Sequence, residues 1–216
     1  MKKNSSIAIK FMLLFALLMM TVQPVSATAN TGSTHSERQI VKAQLTNNKT
    51  GEKINLPVTK KVSQDGKKIE YEVIVMSGSV SESHSRLDAS LGIRLTVTQY
   101  YDENWGAERY VSLDRSTAKW EKLDSSISIT NAKITSSVWA YKQTGGLLNK
   151  VETKTIGIPT SNTWYTQYPS WRGIYVIIND LSWQASRADS TLVRGGSSWT
   201  LGLCVAQGGS AWVDCE

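Results

Sequence analysis

Alternation of apolar and polar residues, the pattern of a strand with one buried face, is the feature that most constrains this chain. The clearest example is the segment 69–75, IEYEVIV, in which every odd position is apolar or aromatic. The same period of two recurs in 91–97 and in 199–205, and no helix-like segment of useful length occurs after residue 30. We therefore expect an all-β protein.

A turn signal predicts how one pair of strands aligns. The dipeptide at 65–66, Asp-Gly, is typical of two-residue hairpin turns. Counting outward from this turn places Val62 opposite Ile69 and Lys61 opposite Glu70. Apolar then meets apolar and opposite charges meet, which favours this register.

Further turn signals predict the fold class. Glycine pairs at 145–146 and 195–196 mark two turns. The apolar residues change from odd to even positions between 127 and 140, which indicates a β-bulge or tight turn within 130–133. The segment 173–178 is the most apolar, so we expect it to form a central strand. Many short strands separated by turns predict an antiparallel β-sandwich or a partly open barrel.

The first 27 residues have the layout of an export signal. Lys2 and Lys3 precede an apolar run at 7–20, and small residues follow. The run is shorter than the roughly 20 apolar residues that span a bilayer. The small-x-small rule allows cleavage after Ala27 or Ala29. We expect residues 1–27 to be a signal peptide and the mature protein to be secreted and extracellular.

The remaining chain is expected to contain three parts. Residues 28–76 form an N-terminal extension with the β-hairpin, and residues 77–86 form a connector in which serine occupies every second position from 77 to 85. The main β-sandwich domain then covers residues 87–216. A polar, serine-rich stretch of this kind is typical of a linker or an exposed edge.

Charge and histidine content exclude some classes of function. Loss of Lys2, Lys3 and Lys10 with the signal peptide lowers the formal net charge from +6 to +3. Such a small charge does not predict a nucleic-acid partner. His35 and His84 are the only histidines and lie in polar, serine-rich segments, so no metal or cofactor is predicted.

The chain has two cysteines, Cys204 and Cys215. Export would bring both to a compartment where disulfides persist, and we predict a bridge between them. We expect the bridge to join facing strands of one hairpin, with the turn at 209–210.

Sequence signals for catalysis are weak. The few histidines and cysteines leave no convincing Ser/His/Asp or Cys/His combination. Asp102, Glu103 and Asp180 are carboxylates near aromatic residues, and they keep a carboxylate-based hydrolase as an alternative. The interpretation we favour is that they are solvated turn acids, or at most a weak calcium site with oxygen ligands, with residues 102–106 forming a loop.

Four aromatic residues occur close together in a segment that we expect to be a loop: Trp164, Tyr165, Tyr168 and Trp171. Flat, amphipathic rings in a loop can stack on sugars or settle into a membrane interface. The competing interpretation is that Trp164 and Trp171 fold back and close one end of the core. Trp139 and Tyr141 form a second candidate pair, for which ordinary cross-strand packing is favoured.

These observations favour a secreted, non-enzymatic binding protein whose partner is cell-envelope or extracellular glycan. The six aromatic residues named above are its candidate ligand contacts. A bacteriocin-like toxin that acts at a target membrane surface through the same rings is the second hypothesis. The carboxylate-based hydrolase is the third.

Overall fold

The computed structural model describes residues 39–64, 68–75 and 92–209. The predicted signal peptide, the turn at 65–66, the connector at 77–86 and Cys215 lie outside the described residues. No helix in these three described ranges is long and apolar enough to cross a membrane.

Within these ranges, twelve strands form two antiparallel sheets that pack face to face, which confirms the predicted all-β sandwich. The strands are β1 (Gln39–Asn47), β2 (Lys53–Leu56), β3 (Thr59–Val62), β4 (Lys68–Val75), β5 (Ile93–Trp105), β6 (Arg109–Lys122), β7 (Ser128–Tyr141), β8 (Leu147–Gly157), β9 (Thr163–Gln167), β10 (Val176–Ile177), β11 (Trp183–Arg194) and β12 (Ser197–Gly208). The first sheet has the order β2-β1-β12-β11-β7-β8. The second has the order β10-β6-β5-β4-β3, and β9 also pairs with β6.

The period of two in the sequence decides which side chains fill the space between the sheets. The odd positions of β4 are buried and the even positions are half-buried. In β12 the odd positions from Trp199 to Val205 lie in the main core cluster. Each fully buried Val, Leu or Ile side chain contributes about 1.5 to 3 kcal/mol to folding. Burial of the alternating residues therefore holds the two sheets together.

The register predicted for β3 and β4 is confirmed. Val62 pairs with Ile69, and Lys61 pairs with Glu70. Lys61 Nζ also lies 3.4 Å from a carboxylate oxygen of Glu72, the diagonal neighbour on β4. Opposite charges thus support the same alignment that the apolar pair requires.

The bulge predicted within 130–133 is also confirmed. Asn131 has a φ of 52°, a left-handed conformation that asparagine adopts more readily than most residues. The pairing of β7 with β11 shifts register at this point. The shift changes the inward face from odd to even positions, so Ile129 and Ile134 are both buried in the main core.

The segment 173–178 is not the central strand that we predicted. Only Val176–Ile177 forms a strand, β10, which lies at the edge of the second sheet beside β6. The segment is apolar because Val176 and Ile178 belong to a second buried cluster. Val176 also forms an isolated bridge with Lys142, directly after β7, so this segment links the two sheets at one end.

The hairpin predicted for the cysteines is wrong, because β12 lies between β1 and β11. At Cys204 both strand neighbours are already present, Lys42 on β1 and Arg187 on β11. No position beside Cys204 in the sheet is left for Cys215. The disulfide itself stays a prediction, and any such bridge has to approach Cys204 from the face of the sheet.

Residues of the predicted N-terminal extension contribute strands to both sheets. β1 pairs with β12 in the first sheet, and β4 pairs with β5 in the second. The extension and the predicted main domain therefore share one core.

Polar side chains separate the two buried apolar clusters. Ser116 Oγ lies 2.9 Å from Ser136 Oγ and 2.5 Å from Ser186 Oγ. Gln99 Nε2 donates to Ser186 Oγ at 3.0 Å and to the carbonyl oxygen of Val205 at 3.2 Å. These bonds join β5 and β6 of the second sheet to β7, β11 and β12 of the first.

Candidate functional site

Trp139 and Tyr141 lie two residues apart on β7 and point away from the core. The residues before each of them, Val138 and Ala140, are completely buried. Trp139 is 36% exposed and Tyr141 is 56% exposed. Both side chains therefore present aromatic surface on the outer face of the first sheet.

The neighbouring strands extend this surface. Trp139 pairs with Trp183 on β11 and with Asn149 on β8. Tyr141 pairs with Leu147, which is also exposed. We call the surface formed by Trp139, Tyr141, Leu147 and Trp183 the outer aromatic face. Asn149 places an amide at its border.

The predicted aromatic loop begins as a strand. Thr163–Gln167 forms β9, which pairs with β6. Alternation along β9 separates its two aromatic residues. Trp164 faces outward beside Lys119, whereas the ring of Tyr165 packs edge-on against Trp120 with centroids 6.1 Å apart. The loop prediction is therefore wrong for this half of the segment, because the edge of β6 pairs with it.

The second half of the segment divides between surface and core. Tyr168 is 58% exposed, whereas Trp171 is completely buried in the second cluster, together with Val138, Leu148 and Val176. The core interpretation is therefore correct for Trp171, and this residue is not a surface ligand contact. Trp164, at 43% exposed, does not close the core.

Cations lie near the exposed rings of this segment. Lys119 Nζ is 5.1 Å and Lys68 Nζ is 6.0 Å from the centroid of Trp164. The Arg172 guanidinium carbon lies 5.2 Å from the centroid of Tyr168. Cation–π attraction holds these groups together. In the described part of the chain, no cation lies over the ring of Trp139 or Tyr141.

The loop that follows β9 is attached to β8 through Glu152. Its carboxylate accepts hydrogen bonds from the backbone N–H of Ser170 at 2.9 Å and from the Ser170 hydroxyl. Gln167 Nε2 donates to the carbonyl oxygen of Glu152 at 2.7 Å. The hydroxyl bond of Ser170, followed by its backbone bond, holds the pKa of Glu152 below its ordinary value. This attachment positions Tyr168 on the surface and Trp171 in the core.

Two further exposed or partly exposed aromatic residues, Trp105 and Trp183, were not predicted as site candidates from the sequence. Trp105 ends β5 and is 54% exposed, and Trp183 begins β11 beside Trp139. β5 extends through residues 102–105 instead of ending at the predicted loop, because a register shift after Tyr100 lets the pairing with β6 continue. The sequence signal that could have identified Trp105 as a site candidate is its position close to charged residues. Nothing local indicated that Trp183 and Trp139 would become neighbours.

Among the carboxylates considered for catalysis, Glu103 forms an ion pair with the guanidinium of Arg109. The described residues contain no group of three His, Cys, Asp or Glu side chains that could hold a metal ion.

Comparison with known proteins gives no assignment. No protein-family model, no curated protein and no solved structure matches the chain.

Proposed function

We propose that this protein is a secreted, non-enzymatic binding protein that attaches to cell-envelope or extracellular glycan through the outer aromatic face. The observation that carries the proposal is the exposure of Trp139 and Tyr141 on one side of a regular strand, where no described cation covers either ring.

The geometry of β7 suits a stacked, extended ligand. Residues two apart on a strand lie roughly 7 Å from each other, on the same face. Pairing with β11 on one side and β8 on the other fixes the backbone of both aromatic residues. A ligand therefore meets rings whose backbone is already ordered, which reduces the entropy lost on binding.

The polar surroundings favour a sugar over a purely apolar ligand. Tyrosine and tryptophan combine an apolar ring with a hydrogen-bonding group. Asn149 lies beside Trp139, and Thr135 and Thr153 face each other four residues further along their strands, with their hydroxyl oxygens 3.0 Å apart. Asn149 offers hydrogen bonds next to the ring of Trp139, and the two threonines continue the polar surface along the same face, as a hydroxylated ligand requires.

A retention assay tests the proposal. The secreted protein is mixed with peptidoglycan sacculi, chitin, cellulose, neutral lipid vesicles and anionic lipid vesicles, and the bound fraction is measured after sedimentation. We expect retention on at least one of the three polymers. The double variant Trp139→Ala/Tyr141→Ala should lose most of it, since one stacked aromatic ring contributes about 1 to 3 kcal/mol where this has been measured for nucleic-acid bases.

Two matched variants make the result specific. Ile158→Ala removes another exposed apolar side chain outside the outer aromatic face and should leave retention unchanged. Trp164→Ala/Tyr168→Ala tests the second exposed aromatic pair and should have the smaller effect. Retention on vesicles alone would contradict the proposal and support the membrane-active alternative.

A further inference from the structure

A layer of glutamine side chains lies between the sheets at the end where β12 finishes. Gln184 on β11 pairs with Gln207 on β12, and both are 1% exposed. Gln99 reaches the same layer from β5, where it bonds Ser186 and Val205, each two residues from the glutamine on its own strand. We call Gln99, Gln184 and Gln207 the amide layer.

The amide layer contains polar atoms that have no hydrogen-bond partner. They are both amide atoms of Gln184, Nε2 of Gln207 and Oε1 of Gln99. Exchanging the nitrogen and oxygen of Gln184 leaves two unpaired atoms, so a different amide orientation does not remove the problem. Each unpaired buried group costs about 1 to 3 kcal/mol, and together they approach the whole stability of an ordinary domain. Additional hydrogen-bonding groups, from ordered water or from a ligand, would therefore stabilise the layer.

The layer approaches the surface at Arg109, the first residue of β6. Arg109 Nη2 donates to Gln207 Oε1 at 3.2 Å and forms an ion pair with Glu103. The same guanidinium lies 5.7 Å from the ring centroid of Trp105, whose Nε1 donates to Glu103 Oε2 at 3.1 Å. One guanidinium thus connects an exposed aromatic ring to a buried amide.

The chemistry of the unpaired atoms defines the group that would satisfy them. The set contains donors and acceptors, so the missing group must both donate and accept hydrogen bonds. Arg109 and Glu103 already balance each other's charge, so a charged ligand is not required. Water, a hydroxyl and a neutral amide meet these conditions, and the exposed ring of Trp105 at the same end favours a hydroxylated ligand that can also stack.

We propose that this end of the sandwich is a second binding site, in which Trp105 stacks on a neutral sugar residue and the amide layer bonds its hydroxyl or amide groups. Because the amides are buried, the ion pair between Glu103 and Arg109 has to open to admit these groups, so these two residues form the entrance. This inference rests on the proposed function, because it places one end of the glycan chain in the second binding site. The outer aromatic face would hold another part of the same polymer.

Binding of soluble oligosaccharides tests the site. Chitotetraose, cellotetraose and fragments of lysozyme-digested sacculi are titrated into the secreted protein by calorimetry, with intrinsic tryptophan fluorescence, compared between the unchanged protein and Trp105→Ala, as a second readout. Gln184→Met keeps the side-chain length and removes both unpaired polar atoms. Trp105→Ala removes the ring. We expect each variant to bind the effective oligosaccharide at least about tenfold more weakly, a loss of about 1.4 kcal/mol.

A matched substitution controls for the loss of an amide. Gln44→Met changes a glutamine on β1 whose Nε2 bonds Asn55 at 3.3 Å on the exposed surface. The Gln44→Met variant should bind the effective oligosaccharide as tightly as the unchanged protein does. All variants should keep the circular dichroism spectrum of the β-sheets.

The outcomes separate this inference from the proposed function. If no polymer retains the protein and no fragment binds, both fail. If the polymers retain the protein but Gln184→Met and Trp105→Ala bind fragments with unchanged affinity, only the second site is refuted. Unchanged affinity combined with a higher melting temperature of Gln184→Met would show that the layer holds ordered water alone.

Discussion

The indole nitrogen of Trp120 donates a hydrogen bond of 3.0 Å to the hydroxyl of Ser190, and this bond joins the two sheets inside the core. Trp120 lies on β6 and Ser190 on β11, and both are essentially completely buried. The bond satisfies a donor that a purely apolar core would leave unpaired, and it fixes how β6 and β11 face each other.

Ser190→Ala should therefore destabilise the fold more than the loss of one hydroxyl group suggests. The buried indole N–H loses its partner, which costs about 1 to 3 kcal/mol. Urea unfolding measures this change. In the background of Trp120→Phe, which has no N–H, the same serine substitution should cost little. Equal costs in both backgrounds would show that the bond does not contribute to stability.

Trp171 and Trp164 should respond oppositely to truncation. Trp171→Ala removes a buried ring from the second cluster and should cost about 3 to 5 kcal/mol. In a chain of this size, each kcal/mol lowers the melting temperature by about 2 to 4 °C. Trp164→Ala changes an exposed ring and should leave the melting temperature nearly unchanged. Thermal denaturation followed by circular dichroism distinguishes the two, and similar losses would contradict the assignment of Trp164 to the surface.

Local patterns predicted the parts of the fold that depend on neighbouring residues. The register of β3 and β4 could be predicted by counting outward from the Asp-Gly dipeptide at 65–66, which aligns Val62 with Ile69. The bulge at Asn131 changes the side on which apolar residues occur within one strand, and that change is visible in the sequence. Both features are encoded within a few residues of where they occur.

The errors concern pairing between distant segments. Cys204 looked free to pair with a following strand, because nothing near it indicates that β1, far earlier in the chain, occupies one edge of β12. Val176 looked central because it is apolar, whereas its burial comes from the second cluster at the edge of the sheet. The same limit applies to the site. Trp139 and Tyr141 could be placed on one face, but their neighbour Trp183 depends on the order of the strands.

Glu152 should make the fold sensitive to acid. Its hydrogen bonds from Ser170 lower its pKa in the folded protein, so the charged form is favoured by folding. This contribution is complete above the ordinary pKa of an unfolded glutamate and is lost as the pH falls through the lower, folded value. Glu152→Gln should therefore remove part of the decrease in stability below about pH 4.5.

Urea unfolding at several pH values measures this effect. Glu108→Gln provides the control, since Glu108 is an exposed glutamate at the tip of the β5–β6 hairpin. If Glu152→Gln and the unchanged protein lose stability in parallel as the pH falls, the bonds to Ser170 do not stabilise the charged carboxylate.

The predicted disulfide between Cys204 and Cys215 can be tested by thiol labelling and peptide mapping. Denatured, non-reduced protein should bind no thiol-reactive label, and digestion should yield one linked peptide that contains Cys204 and Cys215. Reduction should lower the stability by about 2 to 3 kcal/mol, because the bridge closes a short loop. Two labelled cysteines in the secreted protein would contradict the prediction.

Of the glycines that the structure describes, Gly208 should be the one at which alanine is least tolerated. It has a φ of +73°, and a Cβ there would lie 2.3 Å from the carbonyl oxygen of Ser182 and 2.6 Å from Cγ2 of Ile178. The added methyl group meets backbone that the bridge between Asn179 and Ser182 holds in place. Gly208→Ala should therefore prevent the end of β12 from docking against this turn, and the yield of folded protein should fall sharply.

Gly195→Ala is the matched control for Gly208, since Gly195 has a φ of +55° but no atom within 4 Å of the added Cβ. The Gly195→Ala variant should lose only the stability that a left-handed backbone conformation costs a residue with a Cβ, about 1 to 2 kcal/mol. The difference between the two variants in secreted yield and in urea midpoint isolates the steric contact at Gly208. Equal losses would show that backbone conformation alone accounts for both glycines, and that close packing of the 178–182 turn against β12 does not limit substitution there.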